Sequence, residues 1–214
     1  TLGYVNSGGS NGTARLQISP SMTVAKAPIH EASLQFREEY SSCRLTGHDF
    51  LDIGTGTGCI IISLLDTLEQ STGLGIDISK KAILAAKKNA HKFNLLNRIK
   101  FLTKSVDNIF NKKFDLIVSN PPYLSENQYN KTEDEIKKFE PKIALLGGED
   151  GLKFYKMFAK NLPKIMAKKS FFICEIGHKQ YNSCKKIFEN SNLKLIKSTR
   201  DLQKIVRTLT FSKI

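Results

Sequence analysis

Asn120, Pro121, Pro122 and Tyr123 form a short segment that presents hydrogen-bond acceptors and follows the apolar residues 114–118. The two prolines fix φ and remove two backbone donors, which leaves the side-chain carbonyl of Asn120 and the backbone carbonyl of Pro121 as neighbouring acceptors. Such a pair can bind both N–H groups of a planar amide or exocyclic amine, and Tyr123 can cover the flat group. These hydrogen bonds orient a weakly nucleophilic nitrogen and favour the charge that builds on it as it attacks an electrophilic methyl group.

A second candidate site lies at residues 52–58, where the sequence is Asp-Ile-Gly-Thr-Gly-Thr-Gly. Gly54, Gly56 and Gly58 let the backbone turn sharply and approach a ligand, with Thr55 between them. Asp77 follows Gly54 by 23 residues and ends the apolar segment 74–76. A carboxylate at that place can accept hydrogen bonds from two ribose hydroxyls. The loop and Asp77 together predict a binding site for an adenosine-containing cofactor.

Alternating strands and helices must position these residues. The apolar patterns predict strands at 50–53, 74–76, 99–102, 114–118, 171–176, 193–197 and 205–211, and helices at 59–68, 79–91, 151–167 and 180–190. Alternation of this kind predicts an α/β fold with a doubly wound, mostly parallel sheet. The last two strands follow each other directly along the chain, with residues 201–203 between them. Such a short connection favours an antiparallel C-terminal edge hairpin. This arrangement is the shape of class I methyltransferases, a Rossmann-like fold.

Residues 1–37 differ from the rest of the chain. Residues 6–12 are rich in Gly, Ser and Asn, which is typical of a turn or flexible linker, and apolar residues alternate within 14–26 as in one strand of a hairpin. We therefore predict an N-terminal segment at 1–37 and a methyltransferase domain at 38–214.

Charge is distributed unevenly along the 214 residues. The net charge is +13, and residues 151–214 carry a net +12 through fifteen basic and three acidic side chains. This basic C-terminal third predicts contact with an anionic partner such as the ribosome or RNA. A Lys-rich composition is the alternative explanation, because 27 of the 33 basic residues are Lys.

Other features of the composition narrow the class of protein. The longest dense apolar run, 59–65, is too short to cross a bilayer, so we expect no membrane association. The four cysteines show no C-x-x-C pair and predict reduced thiols in a cytoplasmic protein, and the four histidines show no metal-ligand spacing. We expect a monomer.

Several stretches together resemble the HemK/PrmC protein-glutamine N5-methyltransferases. They are residues 50–58, 75–77, 114–123 (FDLIVSNPPY), 139–152 (FEPKIALLGGEDGL), 175–177 with Gln180, and 201–202 with Arg207. NPPY is shared with adenine and guanine methyltransferases, whereas the second long stretch is far more specific to the glutamine enzymes. The resemblance covers about residues 48–214, and residues before it show no counterpart of the family's N-terminal helical domain.

The resemblance implies S-adenosyl-L-methionine as the methyl donor and the GGQ glutamine of class 1 peptide-chain release factors as the acceptor. Gly54, Thr55, Gly56 and Gly58 would line the methionine part of the cofactor, and Asp77 would hold its ribose. Asn120 and Pro121 would bind the target amide, with Pro122 in the same loop and Tyr123 packed on the amide. Asn120 is also assigned to the cofactor site. The adenine contact falls on Ser105 or Asp107.

Three alternatives remain open from the sequence. A sister group of the family methylates a glutamine of a large-subunit ribosomal protein. NPPY and the basic C-terminal third also fit a nucleic-acid amino-methyltransferase that acts on adenine or guanine. The last alternative is a non-catalytic module that binds the cofactor or the ribosome.

Overall fold

The computed structural model describes residues 47–109, 111–132 and 140–213. The strands in these ranges are β1 (Asp49–Ile53), β2 (Thr72–Asp77), β3 (Ile99–Thr103), β4 (Phe114–Ser119), β5 (Met166–Glu175), β6 (Leu193–Arg200) and β7 (Val206–Lys213). The helices are α1 (Cys59–Thr67), α2 (Lys80–Lys92), α3 (Glu126–Asn130), α4 (Lys142–Leu145), α5 (Lys153–Ile165) and α6 (Tyr181–Glu189), and a 3-10 turn spans Val106–Asn108. The predicted strand within 14–26 and the boundary at residue 37 lie outside the described residues.

The strands form one sheet in the order β3-β2-β1-β4-β5-β7-β6. Strands β1 to β5 pair in parallel, whereas β7 is antiparallel to both β5 and β6. The predicted class I methyltransferase fold and the antiparallel final pair are therefore confirmed. The last strand, however, does not occupy the edge: β7 inserts between β5 and β6, and β6 becomes the edge strand.

Helices cover both faces of the sheet, and each face has its own apolar core. On one face α1 and α2 pack through buried aliphatic residues such as Ile61, Leu65 and Ala86. On the other face α5 and α6 contribute an aromatic cluster in which the Phe188 ring lies 4.8 Å from Phe211 and 5.2 Å from Phe172. Burial on both sides holds the parallel strands in register and fixes where their carboxyl ends lie.

The boundary between α5 and β5 differs from the sequence prediction. The helix ends at Ile165 rather than at residue 167, and the strand begins at Met166 rather than at residue 171. Met166 is fully buried and pairs with Phe114 of β4, after which the register shifts before Leu116. Lys169, with φ of 58°, lies in the irregular stretch. Apolar periodicity misses this short pairing because polar lysines interrupt the strand.

The described residues offer neither a membrane span nor a metal cluster. No helix among them is both long enough and apolar enough to cross a bilayer. No group of three or more His, Cys, Asp or Glu side chains in these ranges is placed to hold a metal ion. Cys59, Cys174 and Cys184 are free thiols, and burial raises the pKa of Cys184 to about 12.

Candidate active site at the carboxyl edge of the sheet

The predicted site residues meet at the carboxyl ends of three neighbouring strands. Ile53, the last residue of β1, pairs with Ile76 of β2 on one side and with Ser119 of β4 on the other. The Ser119 hydroxyl also donates to the Ile53 carbonyl at 2.7 Å. The residue after β1 is Gly54, the last residue of β2 is Asp77, and the residue after β4 is Asn120. Because adjacent strands lie about 4.8 Å apart, the glycine loop, Asp77 and Asn120 form one row. The strand order reverses between β1 and β4, where open α/β sheets bind ligands.

The glycine loop has a fixed shape. Gly54, Gly56 and Gly58 have φ of 71°, 55° and 80°, a region that side chains with a Cβ rarely adopt. The backbone N–H groups of Gly54 and Thr55 both donate to the Ile76 carbonyl at 2.9 Å. The Thr55 hydroxyl donates to the buried carboxylate of Asp52 at 2.7 Å. Thr55 therefore points into the protein and supports the loop from below.

Asp77 supports the same loop through its carboxylate. One oxygen accepts the Gly56 backbone N–H at 3.0 Å, and the other accepts the Ser79 N–H at 2.8 Å. Ser79 in turn caps α2, as predicted, by accepting from the Ala82 N–H. Each carboxylate oxygen has further acceptor capacity, so these bonds leave room for ligand hydroxyls. The sequence did not show that the Asp77 side chain also links the glycine loop to β2, of which Asp77 is the last residue.

Asn120 and Pro121 lie together at the end of β4. Asn120 is half-buried and Pro121 is buried. Among the described residues, neither the Asn120 side chain nor the Pro121 carbonyl has a hydrogen bond. The two predicted acceptors are thus neighbours at the end of β4, and their binding of a ligand stays a prediction.

A distant segment fixes the loop that carries these acceptors. The Leu124 N–H donates to the Leu145 carbonyl at 3.0 Å, and the Gly147 N–H donates to the Leu124 carbonyl at 2.8 Å. A Cβ placed on Gly147 would lie 2.7 Å from the Pro122 carbonyl oxygen, so the two backbones are in close contact. Pro122 therefore helps to determine the shape of the loop, because its carbonyl packs against Gly147.

Gln180 is the main residue whose role the sequence did not reveal. Its buried amide donates to the Tyr123 carbonyl at 2.9 Å and to the Gly151 carbonyl at 3.3 Å, and its oxygen accepts the Gly177 N–H at 2.9 Å. The Tyr155 hydroxyl lies 3.4 Å from the same oxygen. One side chain thereby joins the loop after β4, the start of α5 and the loop after β5. It matched the family pattern, but spacing alone gave no indication of these partners.

Tyr123 lies half-buried beside the carboxylate of Glu175, to which its hydroxyl is hydrogen bonded. Burial first, and then the neighbouring Glu175 charge, raise the pKa of Tyr123 to about 12. The Tyr123 hydroxyl is therefore neutral at physiological pH. A Cβ on Gly177 would lie 3.0 Å from the Tyr123 ring, so the ring packs directly on the loop after β5.

The protonation of Tyr123 gives a testable expectation. A raised folded-state pKa stabilises the protein below pH 10, and this contribution disappears as the pH rises from 10 to about 12. The difference in tyrosinate absorbance between the wild type and Tyr123→Phe should therefore show a single step near pH 12. A step near the ordinary value of 10 would contradict the burial of the hydroxyl next to Glu175.

Ser105 and Asp107 lie after β3, at the start of the 3-10 turn. The Asp107 carboxylate accepts from the Ser105 hydroxyl at 3.0 Å and from the Asn161 side chain on α5 at 2.8 Å. Asp107 therefore connects this turn to α5, and the assignment of an adenine contact to either residue stays a prediction. Ile78, directly after Asp77, exposes 55% of its surface.

Comparisons with known proteins point to methyltransferases. The Methyltransferase small domain model matches residues 35–139. A release factor glutamine methyltransferase of Thermodesulfovibrio yellowstonii is 36% identical over 169 residues, which is 78% of this chain and 60% of that protein. The chain is thus similar to release factor glutamine methyltransferases, in agreement with its resemblance to the HemK/PrmC family.

Other comparisons also find methyltransferases. A bifunctional methyltransferase of Rickettsia prowazekii is 39% identical over 168 residues, covering 78% of this chain and 32% of that protein. The chain thus spans between about a third and three fifths of the length of these curated relatives. The crystal structure of magnesium protoporphyrin IX methyltransferase from Synechocystis with bound SAH shares the fold, with a TM-score of 0.63 at 13% identity. That alignment covers 95% of this chain and 90% of the other.

Proposed function

We propose that this chain is a member of the HemK/PrmC family and an S-adenosylmethionine-dependent protein-(glutamine-N5) methyltransferase. Its proposed acceptor is the GGQ glutamine of class 1 peptide-chain release factors, in keeping with the name of the Thermodesulfovibrio relative. The observation that carries the proposal is the pair of acceptors at Asn120 and Pro121, which have no hydrogen bond among the described residues and lie beside the glycine loop and Asp77. We also propose that residues 38–214 form the catalytic domain.

The geometry of the glycine loop fits the proposed cofactor. A Cβ on Gly54 would meet nothing within 4 Å, and one on Gly56 would meet only the Gly54 carbonyl at 4.0 Å. The loop therefore has open space beside it for the methionine part, with Gly58 and Thr55 fixing its shape. Asp77, half-buried at the end of β2, is placed to accept hydrogen bonds from ribose hydroxyls. S-adenosylmethionine supplies a sulfonium-activated methyl group when bound.

The chain's own residues would orient the acceptor. Asn120 and Pro121 accept the two N–H groups of the glutamine amide in its plane, which leaves the nitrogen lone pair, perpendicular to that plane, free to face the methyl group. Positive charge that builds on the nitrogen strengthens both hydrogen bonds, so they stabilise the transition state more than the ground state. Tyr123 stays neutral and covers the planar amide. The amide proton can pass to water after methylation, so no strong base is required at this site.

Asp77→Ala should weaken binding of S-adenosylhomocysteine by roughly 1.5–3 kcal/mol, the usual cost of losing hydrogen bonds to a charged group. Isothermal titration calorimetry measures this without any need for turnover. The variant also leaves the Gly56 and Ser79 N–H groups without their acceptor. It should therefore lower the melting temperature as well.

Asp77→Asn separates the two effects. The Asn side chain keeps one carbonyl acceptor of similar shape but loses the charge, so the fall in melting temperature should be smaller than in Asp77→Ala. Asp66→Ala, an exposed carboxylate at the end of α1, serves as the matched control and should change neither quantity. Unchanged affinity in Asp77→Ala would remove this carboxylate from the cofactor site.

The overall function is tested with labelled S-adenosylmethionine. The protein is incubated with a ribosome-containing lysate and, separately, with purified release factor, and the label is traced to protein or RNA. Label on the GGQ glutamine by mass spectrometry supports the proposal. Label on a ribosomal protein favours the sister activity, and label on RNA favours the nucleic-acid alternative.

Contacts beyond the active site are a further part of the proposal. The net +12 of residues 151–214 supports a contact with the ribosome or RNA. Lys186 is exposed and Lys185 is half-buried on α6, so part of this charge reaches the surface. Slower association at higher salt, measured by stopped-flow fluorescence, would support this contact. We further propose that the enzyme works as a monomer in the cytoplasm, where translation proteins are found.

A further inference from the structure

Glu175 is a buried carboxylate at the same edge of the sheet as the acceptor loop, residues 120–124. Only 2% of its surface is exposed, and a carboxylate is rarely found at this depth without a partner. Glu175 is the last residue of β5, which pairs in parallel with β4, and the acceptor loop follows β4 directly. Because neighbouring strands lie about 4.8 Å apart, Glu175 is within reach of this loop.

The partner of the Glu175 carboxylate in the acceptor loop is the hydroxyl of Tyr123. This hydroxyl donates a hydrogen bond to Glu175, and a bond from an O–H group to a carboxylate is roughly twice as strong as one between neutral groups. Since Tyr123 is half-buried and Glu175 is fully buried, water competes little for either group. The carboxylate thus anchors the far end of the Tyr123 side chain.

The rest of Tyr123 is held by the segment that follows Glu175. The Gln180 amide donates to the Tyr123 carbonyl at 2.9 Å, and a Cβ on Gly177 would lie 3.0 Å from the Tyr123 ring. Segment 175–180 therefore contacts the hydroxyl, the ring and the carbonyl of one residue. Three contacts at separate points leave the Tyr123 side chain a single orientation.

The anchor itself is held by strand pairing and by α5. Glu175 lies opposite Thr208 of β7, and the N–H of Ile176 donates to the Arg207 carbonyl at 2.8 Å. The buried Tyr155 hydroxyl on α5 donates to the Glu175 carbonyl at 3.0 Å. A side chain on a strand, supported by such contacts, positions its partner more precisely than a side chain on a loop.

We propose that Glu175 is a positioning residue for methyl transfer, which acts by holding the Tyr123 ring over the acceptor amide. This inference rests on the proposed protein-methylating function, in which Tyr123 covers the amide. A ring with one orientation limits the motion of the amide before it attacks the methyl group. Loss of the anchor therefore lowers kcat more than it raises KM.

The test is a double-mutant cycle that combines Glu175→Leu with Tyr123→Phe, with purified release factor as the acceptor. Leu has a volume close to that of Glu and buries no charge, so the variant should fold. Glu175→Leu should reduce kcat about tenfold and change KM less than about twofold. Because both substitutions remove the same hydrogen bond, the double variant should lose no more activity than the more affected single variant.

Two results of the cycle would overturn the proposal. Losses that multiply in the double variant would show that Glu175 acts independently of the Tyr123 hydroxyl. An unchanged kcat in Glu175→Leu, with only a lower melting temperature, would identify a purely structural role.

Glu175→Gln is the conservative variant. Its side-chain carbonyl can still accept from the Tyr123 hydroxyl but carries no charge, so kcat should return to within about threefold of the wild type. The Tyr123 step in tyrosinate absorbance should move to a pH below about 12, because the charge that helps to raise its pKa is gone. A kcat as low as in Glu175→Leu, or an unmoved tyrosinate step, would contradict the anchor.

Thr208→Val is the matched control. Thr208 is fully buried opposite Glu175, and its hydroxyl has no hydrogen-bond partner within the described part of the chain. The substitution changes a polar group at the same depth without removing the bond to Tyr123, so kcat should be unchanged. An equal loss in Thr208→Val would show that any change in this core slows turnover, and the special role of Glu175 would be lost.

Failure of the proposed function gives a different result. A wild type that methylates no glutamine substrate contradicts the proposed function, and with it the role of Glu175 in methyl transfer. A wild type that methylates release factor, together with a Glu175→Leu variant of equal kcat, contradicts the positioning role alone. The tyrosinate measurement needs no turnover and tests the bond between Glu175 and Tyr123 in either case.

Discussion

Asn120→Ala should reduce kcat on a glutamine substrate on the order of a hundredfold or more, with little change in affinity for S-adenosylhomocysteine. The variant removes one of two acceptors that tighten as charge develops on the attacking nitrogen, which is an interaction realised mainly in the transition state. The Asn120 side chain has no hydrogen-bond partner among the described residues, so its removal should cost little stability. Steady-state kinetics and calorimetry give the two quantities.

Asn127→Ala is the matched control for this experiment. Asn127 is exposed on α3, a few residues further along the same segment, and should leave kcat unchanged. An equal loss of turnover and cofactor affinity in Asn120→Ala would show that Asn120 holds the cofactor or the fold rather than the amide.

Gly151→Ala should destabilise the protein by roughly 2–4 kcal/mol and largely abolish methylation. Its φ of 74° strains any residue with a Cβ, and the added atom would lie 2.5 Å from the Tyr123 carbonyl oxygen and 2.7 Å from the Gln180 amide nitrogen. Relief of that overlap must displace the bond between Gln180 and Tyr123, and with it the loop that carries Asn120 and Pro121. Chemical denaturation and a methylation assay measure the two effects.

Gly47→Ala separates the effect of backbone strain from the effect of steric overlap by the added Cβ. Gly47 has a similar φ of 86°, but a Cβ there would meet nothing within 4 Å. Only the backbone strain should remain, at about 1–2 kcal/mol, and activity should be kept. If Gly151→Ala is no more destabilising than Gly47→Ala and stays active, the close contact with Tyr123 does not shape the site.

The sequence alone was sufficient for the fold class and for the position of the two motifs. Apolar runs that end at Gly54, Asp77 and Asn120 predict strand ends, and parallel strands bring their carboxyl ends to one edge of the sheet. The short link at residues 201–203 predicted the antiparallel final pair, which β6 and β7 confirm. These features depend on local periodicity and on short spacings, which a sequence displays directly.

Other features were decided by which distant segments become neighbours. The amide of Gln180 meets a carbonyl 57 residues away at Tyr123 and another 29 residues away at Gly151. Lys179 lines the same surface pocket as Arg200 and Lys204 because β7 pairs with both β5 and β6, which brings the loop after β5 to the β6–β7 turn. Hydrogen bonds of this range depend on strand order and on close backbone contact. No periodicity in the sequence encodes them, so only the tertiary structure determined how the acceptor loop is held and where the positive charge collects.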